Sequence, residues 1–208
     1  MADVAAAGAT LDSARAAAIL LHGRGSNAGD MFSLAREFGQ RDIAYLAPEA
    51  PRGSWYPYSF LAPLGQNEPY LSDALATVGA AFARLAREGY PPERVALIGF
   101  SQGGCLALEY AARNAQRYGA VVGLSAGLIG PPGTPRAYPG TLAGTPVFLG
   151  CGDIDSHIPL ARVHETRDVL SRMGAAVSAR IYPGMGHTVN ADEIAHVSKL
   201  LAGIGAMP

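Results

Sequence analysis

The chain has 208 residues, of which 49% are apolar and 16% charged, with a formal net charge of −1. This length suits one domain with a full core, residues 1–208, and so even a charge balance leaves no field to gather nucleic acid or acidic lipid. The expected partner is a small, mostly uncharged molecule; neither nucleic-acid binding nor membrane insertion is expected.

The chain opens "MADVAAAGATLDSAR", with Asp3 where an export leader carries positive charge, and the apolar run Ala16 to Leu21 that follows is short. No run approaches the roughly 20 apolar residues that span a bilayer. The reading is therefore a cytoplasmic protein whose first 15 residues form a flexible N-terminus. Cys105 and Cys151 lie in apolar segments without metal-type spacing, which suits two buried thiols in a reducing compartment. Sequence carries no distance, so a disulfide between them stays open.

From Ala16 onward, short apolar runs alternate with helical patterns. "AAAILLHG" (16–23), "DIAYLAPEA" (42–50), "RVALIGF" (94–100), "GAVVGLSA" (119–126), "TPVFLGCG" (145–152) and "VSARIYPG" (177–184) read as strands. Most are apolar throughout, as expected where helices cover both faces of a sheet. Helices are predicted over 70–88, 102–115, 160–173 and 190–201. The clearest is the first, where Leu71, Ala74, Leu75, Val78, Ala81, Phe82 and Leu85 recur at helical spacing between Pro69 and Gly89. The alternation predicts an α/β fold: an open, mostly parallel sheet flanked by helices on both faces. Two Pro- and Gly-rich segments, 51–69 and 130–144, exceed the ordinary length of a connection. The first carries Trp55, Tyr56, Tyr58, Phe60 and Leu61 and is too aromatic for disorder.

"GFSQG", Gly99 to Gly103, has the form G-x-S-x-G between a predicted strand and a predicted helix. In so sharp a turn the glycines avoid collisions while Ser101 is pushed out at the strand's C-terminal end, and the helix aims its first N–H groups, including that of Gln102, beside it. Glycine-rich turns also serve tight packing or phosphate binding, so the pentapeptide alone does not decide. A serine hydroxyl needs a base held by a third group. Downstream, "GCGDIDSHIP" follows one strand and offers Asp153 and Asp155, and "YPGMGHTVN" follows the last and offers His187.

With "LHGRGSNAGDM", "GFSQGG", "GDIDSHIP" and "GMGH" in order over nearly the whole length, the chain resembles the phospholipase/carboxylesterase family of α/β-hydrolases, which includes acyl-protein thioesterases and small carboxylesterases. The resemblance implies an α/β-hydrolase fold, and 208 residues leave no room for a separate cap domain. It implies catalytic roles for Ser101 as nucleophile, His187 as base and Asp155 as acid, with Asp153 left outside. Backbone N–H groups of Arg24 and Gln102 are implied as the oxyanion hole. The Arg24 side chain, where relatives often carry an apolar residue, is expected to face solvent. Only 15 residues precede the first strand, too few for the antiparallel hairpin of many relatives, so a smaller sheet is expected at that edge.

Other histidines have plainer readings. His22 more often orients a loop than catalyses, His157 precedes the last strand, and His164 and His196 sit in helical patterns. A zinc site from His22, Asp155, His157 and His187 matches no metal spacing, so no metal and no cofactor are expected. The aromatic loop, with Trp55, Tyr56, Phe60 and Leu61, is expected to line the substrate pocket, Trp55 as its wall. Asn67 and Glu68 suit the start of the helix beside Pro69. The resulting expectation is a serine hydrolase of small to medium carboxylic esters, monomer or homodimer. A thioesterase or lysophospholipase with the same residues, and a non-catalytic binding module on the same fold, are the alternatives.

Overall fold

A computed structural model describes residues 4–205. Seven strands form one open sheet: β1 (Val4–Gly8), β2 (Ala16–Leu21), β3 (Ile43–Pro48), β4 (Val95–Phe100), β5 (Ala120–Leu124), β6 (Pro146–Gly152) and β7 (Ala176–Tyr182). Their order across the sheet is β1-β3-β2-β4-β5-β6-β7, and every pair except β1 with β3 is parallel. The helices are α1 (Ala28–Glu37), the single-turn α2 (Leu64–Asn67), α3 (Tyr70–Arg87), α4 (Gln102–Arg113), α5 (Leu160–Arg172) and α6 (Ala191–Gly203).

The sheet is apolar on both faces because it is covered on both. Along β2, Ala17, Ile19 and Leu21 enter a core shared with α3, α4 and α5, while Ala16, Ala18 and Leu20 enter a second core beneath α1 and α6. β2 through β5 are almost wholly buried, which is why they read as unbroken apolar runs rather than alternating ones. Among the described residues no helix is long and apolar enough to cross a membrane.

Two expectations about the N-terminal edge are corrected. Residues 4–8 are not a flexible tail: they zip antiparallel onto β3, with Val4 opposite Pro48 and Gly8 opposite Ala44. The sheet is thus extended at this edge rather than reduced. A strand this short, running Val-Ala-Ala-Ala-Gly, carries no alternation to betray it; the open edge of β3 supplies its hydrogen bonds. The connection back to β2 is anchored by the Tyr90 hydroxyl, which donates to the carbonyls of Leu11 and Ala14.

The α1 helix was not read from the sequence, although its start has a signal. Asn27 caps it, its Oδ1 accepting from the N–H of Asp30, in the stretch Asn27 to Met31. The chain leaves β2 toward β3 on one side and returns to β4 on the other. The C-terminal ends of β2 and β4 therefore flank a topological switch point, where open α/β sheets form clefts.

Candidate active site

Ser101 follows β4 directly and has φ 54 and ψ −121, a conformation that few non-glycine residues adopt. Its N–H is held by the Leu124 carbonyl at 2.9 Å, and α4 begins at the next residue. The close approach of backbones explains the glycines. A Cβ on Gly99 would lie 2.3 Å from the Gly103 carbonyl oxygen, and one on Gly103 would lie 2.1 Å from that of Leu21. A Cβ on Gly23 would come within 3.4 Å of the Ser101 Cβ. The turn after β4 is therefore pressed against the loop after β2, and that contact presents Ser101 beside "HGRGS".

Ser101 Oγ lies 2.8 Å from Nε2 of His187, and Nδ1 of His187 lies 2.8 Å from Oδ2 of Asp155. These three residues come from the loops after β4, β7 and β6, so the sheet brings together side chains that are 86 and 32 residues apart. The Asp155 carboxylate is fully buried. Burial alone would raise its pKa, but the bond from His187 and the N–H groups of His157 and Ile158 on Oδ1 outweigh it and hold the carboxyl below the ordinary aspartate value. Asp153 is turned away: its Oδ1 accepts from the Gly184 N–H at 2.7 Å and ties the β6 loop to the β7 loop. His157 packs edge-on against the His187 ring, with centroids 4.6 Å apart.

The N–H of Gln102 is at the first turn of α4, where helical donors have no intrahelical acceptor. No acceptor among the described residues is found for it or for the Arg24 N–H. Both residues line the same cleft as Ser101, His187 and Gly23. His22, behind them, carries its proton on Nδ1, which donates to the Gly23 carbonyl, while Nε2 accepts from the Ala50 N–H. It orients the loop.

The cleft has a volume of about 980 Å³ and straddles the C-terminal edge of the sheet. One arm, over the α3–α4–α5 face, is lined by Tyr56, Phe60, Cys105 and Ile158; the other, over the α1–α6 face, by Met31, Leu34, Phe100 and Val189. The second arm was missed with α1. Of the four aromatic-loop positions, Tyr56 and Phe60 line the cleft, and Trp55 and Leu61 do not. Trp55 is a correction: it is buried below the wall, its indole Nε1 donating to the His22 carbonyl and its backbone N–H to Oε1 of Gln102. The Arg24 side chain is exposed, as expected, but it is also bound to the aromatic loop. Its guanidinium donates to Ser54 Oγ and to the carbonyls of Tyr56, Pro57 and Tyr58, all at 2.7–3.0 Å. Asn67 holds the same loop, accepting from Tyr58 and donating to Ser59, whereas Glu68 caps α3 through the Ser72 N–H.

The model of the phospholipase/carboxylesterase family matches residues 3–204. The chain belongs to that family. A phospholipase/carboxylesterase from Dyadobacter fermentans has the same fold at a TM-score of 0.93, with 42% identity over 97% of each chain. Acyl-protein thioesterase 1 of Saccharomyces cerevisiae is 26% identical over 93% of this chain and 94% of its own. Acyl-protein thioesterase 1 of Gibberella zeae is 33% identical over 115 residues, 54% of this chain and 49% of its own; this chain thus matches about half the length of that relative. The protein is accordingly an enzyme of the α/β-hydrolase class with esterase or thioesterase relatives.

Proposed function

We propose that the protein is a carboxylesterase that cleaves small to medium carboxylic esters through Ser101, His187 and Asp155. The unbroken chain of contacts from Ser101 Oγ through both nitrogens of His187 to Asp155, each 2.8 Å, is the observation that carries this reading. With Nδ1–H donated to the carboxylate, Nε2 is left as the acceptor beside the serine hydroxyl. Ser101 Oγ attacks the ester carbonyl as Nε2 takes its proton, and the carbonyl π electrons move onto oxygen. The N–H groups of Arg24 and Gln102 receive that oxyanion; one such donor is typically worth about 2.7 to 4 kcal/mol. Collapse expels the alkoxide, which takes the proton from Nε2 and leaves as alcohol. Water then repeats the sequence on the acyl-enzyme, returning the carboxylic acid and free Ser101. Asp155, kept ionised, orients the imidazole and offsets its positive charge.

The two apolar arms support a substrate with a hydrocarbon group on each side of the carbonyl. A thioester is the second reading, favoured by the relatives that are acyl-protein thioesterases. The chain supports one catalytic domain acting as monomer or homodimer on a small molecule. A cytoplasmic location fits its two free thiols, Cys105 and Cys151, both pushed up to about 12 mainly by burial and so poorly reactive. The test is hydrolysis of p-nitrophenyl acetate and butyrate by the wild type and Ser101→Ala. Turnover that falls by several orders of magnitude in the variant upholds the serine mechanism; equal rates in the two proteins would overturn it. Oxygen and sulfur esters of one acyl chain, run side by side, decide between the two readings.

A further inference from the structure

The two residues proposed to supply oxyanion donors spend their side chains on one short segment. Arg24 reaches Ser54, Tyr56, Pro57 and Tyr58 with two guanidinium nitrogens. Gln102 reaches the same segment from the other side of the cleft floor, Oε1 accepting from the Trp55 N–H at 3.0 Å and Nε2 donating to the Tyr56 carbonyl at 2.8 Å. The Tyr56 carbonyl is the meeting point. It accepts from Arg24, from Gln102 and from the Ser54 hydroxyl, at 2.8, 2.8 and 2.9 Å. The segment is further pinned to the loop after β2, where the Gly25 N–H donates to the Gly53 carbonyl at 2.7 Å and the Trp55 indole to that of His22.

Such an arrangement is costly unless it fixes something. Arg24 is exposed, and a free arginine there would keep its rotamer entropy, on the order of 2 kcal/mol. Instead its planar fork is locked onto four acceptors. An oxyanion hole works because its donors are already in place when charge develops, and errors well under 1 Å matter. The donors here stand on two different elements, the loop after β2 and the first turn of α4, joined by the Gly23–Ser101 contact and by the 54–58 segment.

We infer that Ser54–Tyr58 is a strap that sets the spacing of the Arg24 and Gln102 N–H groups, with the side chains of Arg24 and Gln102 acting as positioning residues for the oxyanion. The inference rests on the serine-esterase reading above. It deepens that reading in one respect: Tyr56, whose side chain lines the cleft, has its own carbonyl at the centre of the clamp, so the wall that the substrate touches and the donors that stabilise its transition state are one mechanical unit.

The experiment compares wild type with Arg24→Ala, Arg24→Lys, Ser54→Ala and the Arg24→Ala/Ser54→Ala double variant. Each is measured for kcat and KM on p-nitrophenyl butyrate, and for inhibition by a trifluoromethyl ketone, which forms a tetrahedral oxyanion adduct, and by the matched methyl ketone. Arg24→Ala should lower kcat about 10- to 30-fold, less than outright loss of a donor, with KM changed less than threefold. Trifluoromethyl ketone affinity should fall with kcat/KM while methyl ketone affinity holds. Arg24→Lys should stay close to Arg24→Ala, because a point charge does not replace a fork on four acceptors. The double variant should be little worse than the single, since both act through the strap. Full recovery in Arg24→Lys would assign the effect to charge and overturn the strap, as would a change confined to KM or an unchanged kcat. Labelling of Ser101 by a fluorophosphonate separates the two levels. A wild type that labels, together with an unaffected Arg24→Ala, refutes the strap alone; a wild type that fails to label at Ser101 removes the esterase reading and the strap with it.

Discussion

Glu193 is the buried carboxyl whose ionisation the fold pays for. It stands in the first turn of α6, and its Oε2 accepts from the N–H of Asn190 in a reciprocal capping box. The side chain is fully buried, and Oε1 has no hydrogen-bond partner where it lies against Gly150. Burial, opposed by the Asn190 bond, pushes its pKa up to about 7 from the ordinary 4.5. The native state therefore holds this proton where the unfolded chain has released it. Stability falls as pH rises from about 4.5 to about 7, then levels off, and the full span is worth at most about 3 kcal/mol at ~1.36 kcal/mol per pH unit. Glu193→Gln keeps an oxygen for Asn190 and removes the charge. In urea unfolding followed by circular dichroism, its stability relative to wild type should rise by about 1–3 kcal/mol between pH 5 and pH 8. A difference that does not change across that range would refute the buried-charge argument. Because α6 starts four residues after His187, the same variant should keep its activity to higher pH in partial denaturant.

Three further outcomes follow from the site. Asp155→Asn should leave the fold intact and lower kcat about 10⁴-fold on p-nitrophenyl butyrate, since an amide stabilises the wrong imidazole tautomer; a loss under tenfold would remove Asp155 from the mechanism. Gly103→Ala would drive its methyl into the Leu21 carbonyl and should give no soluble folded protein, as read by expression and circular dichroism. Trp55→Ala should act through stability, lowering it by about 3–5 kcal/mol in urea titration, because the indole is buried and bonded to His22 rather than exposed to substrate.

Six of the seven strands, four of the helices and the G-x-S-x-G turn were legible because each is a local pattern. Apolar runs, helical spacing and glycines that bracket a serine need no knowledge of the rest of the chain. Even the separation of Gly99 from Gly103 anticipates a clash that only backbone atoms a few residues apart create. The edge strand Val4–Gly8 was not legible, because its stability lies in the ladder to β3 rather than in its own residues. Nor do the residues alone choose between Asp153 and Asp155, two carboxylates on one loop. The packing of β6 against β7 turns one toward His187 and the other toward the Gly184 N–H. Trp55 was misplaced, and the partners of the exposed Arg24 went unread, for the same reason: a guanidinium 30 to 34 residues from its acceptors and an indole 33 residues from its own find them only once the loops after β2 and β3 meet. Sequence determined which residue types stand at the ends of the strands. Tertiary structure decided which of their polar atoms meet, because hydrogen bonds depend on distances across the sheet that no spacing along the chain contains.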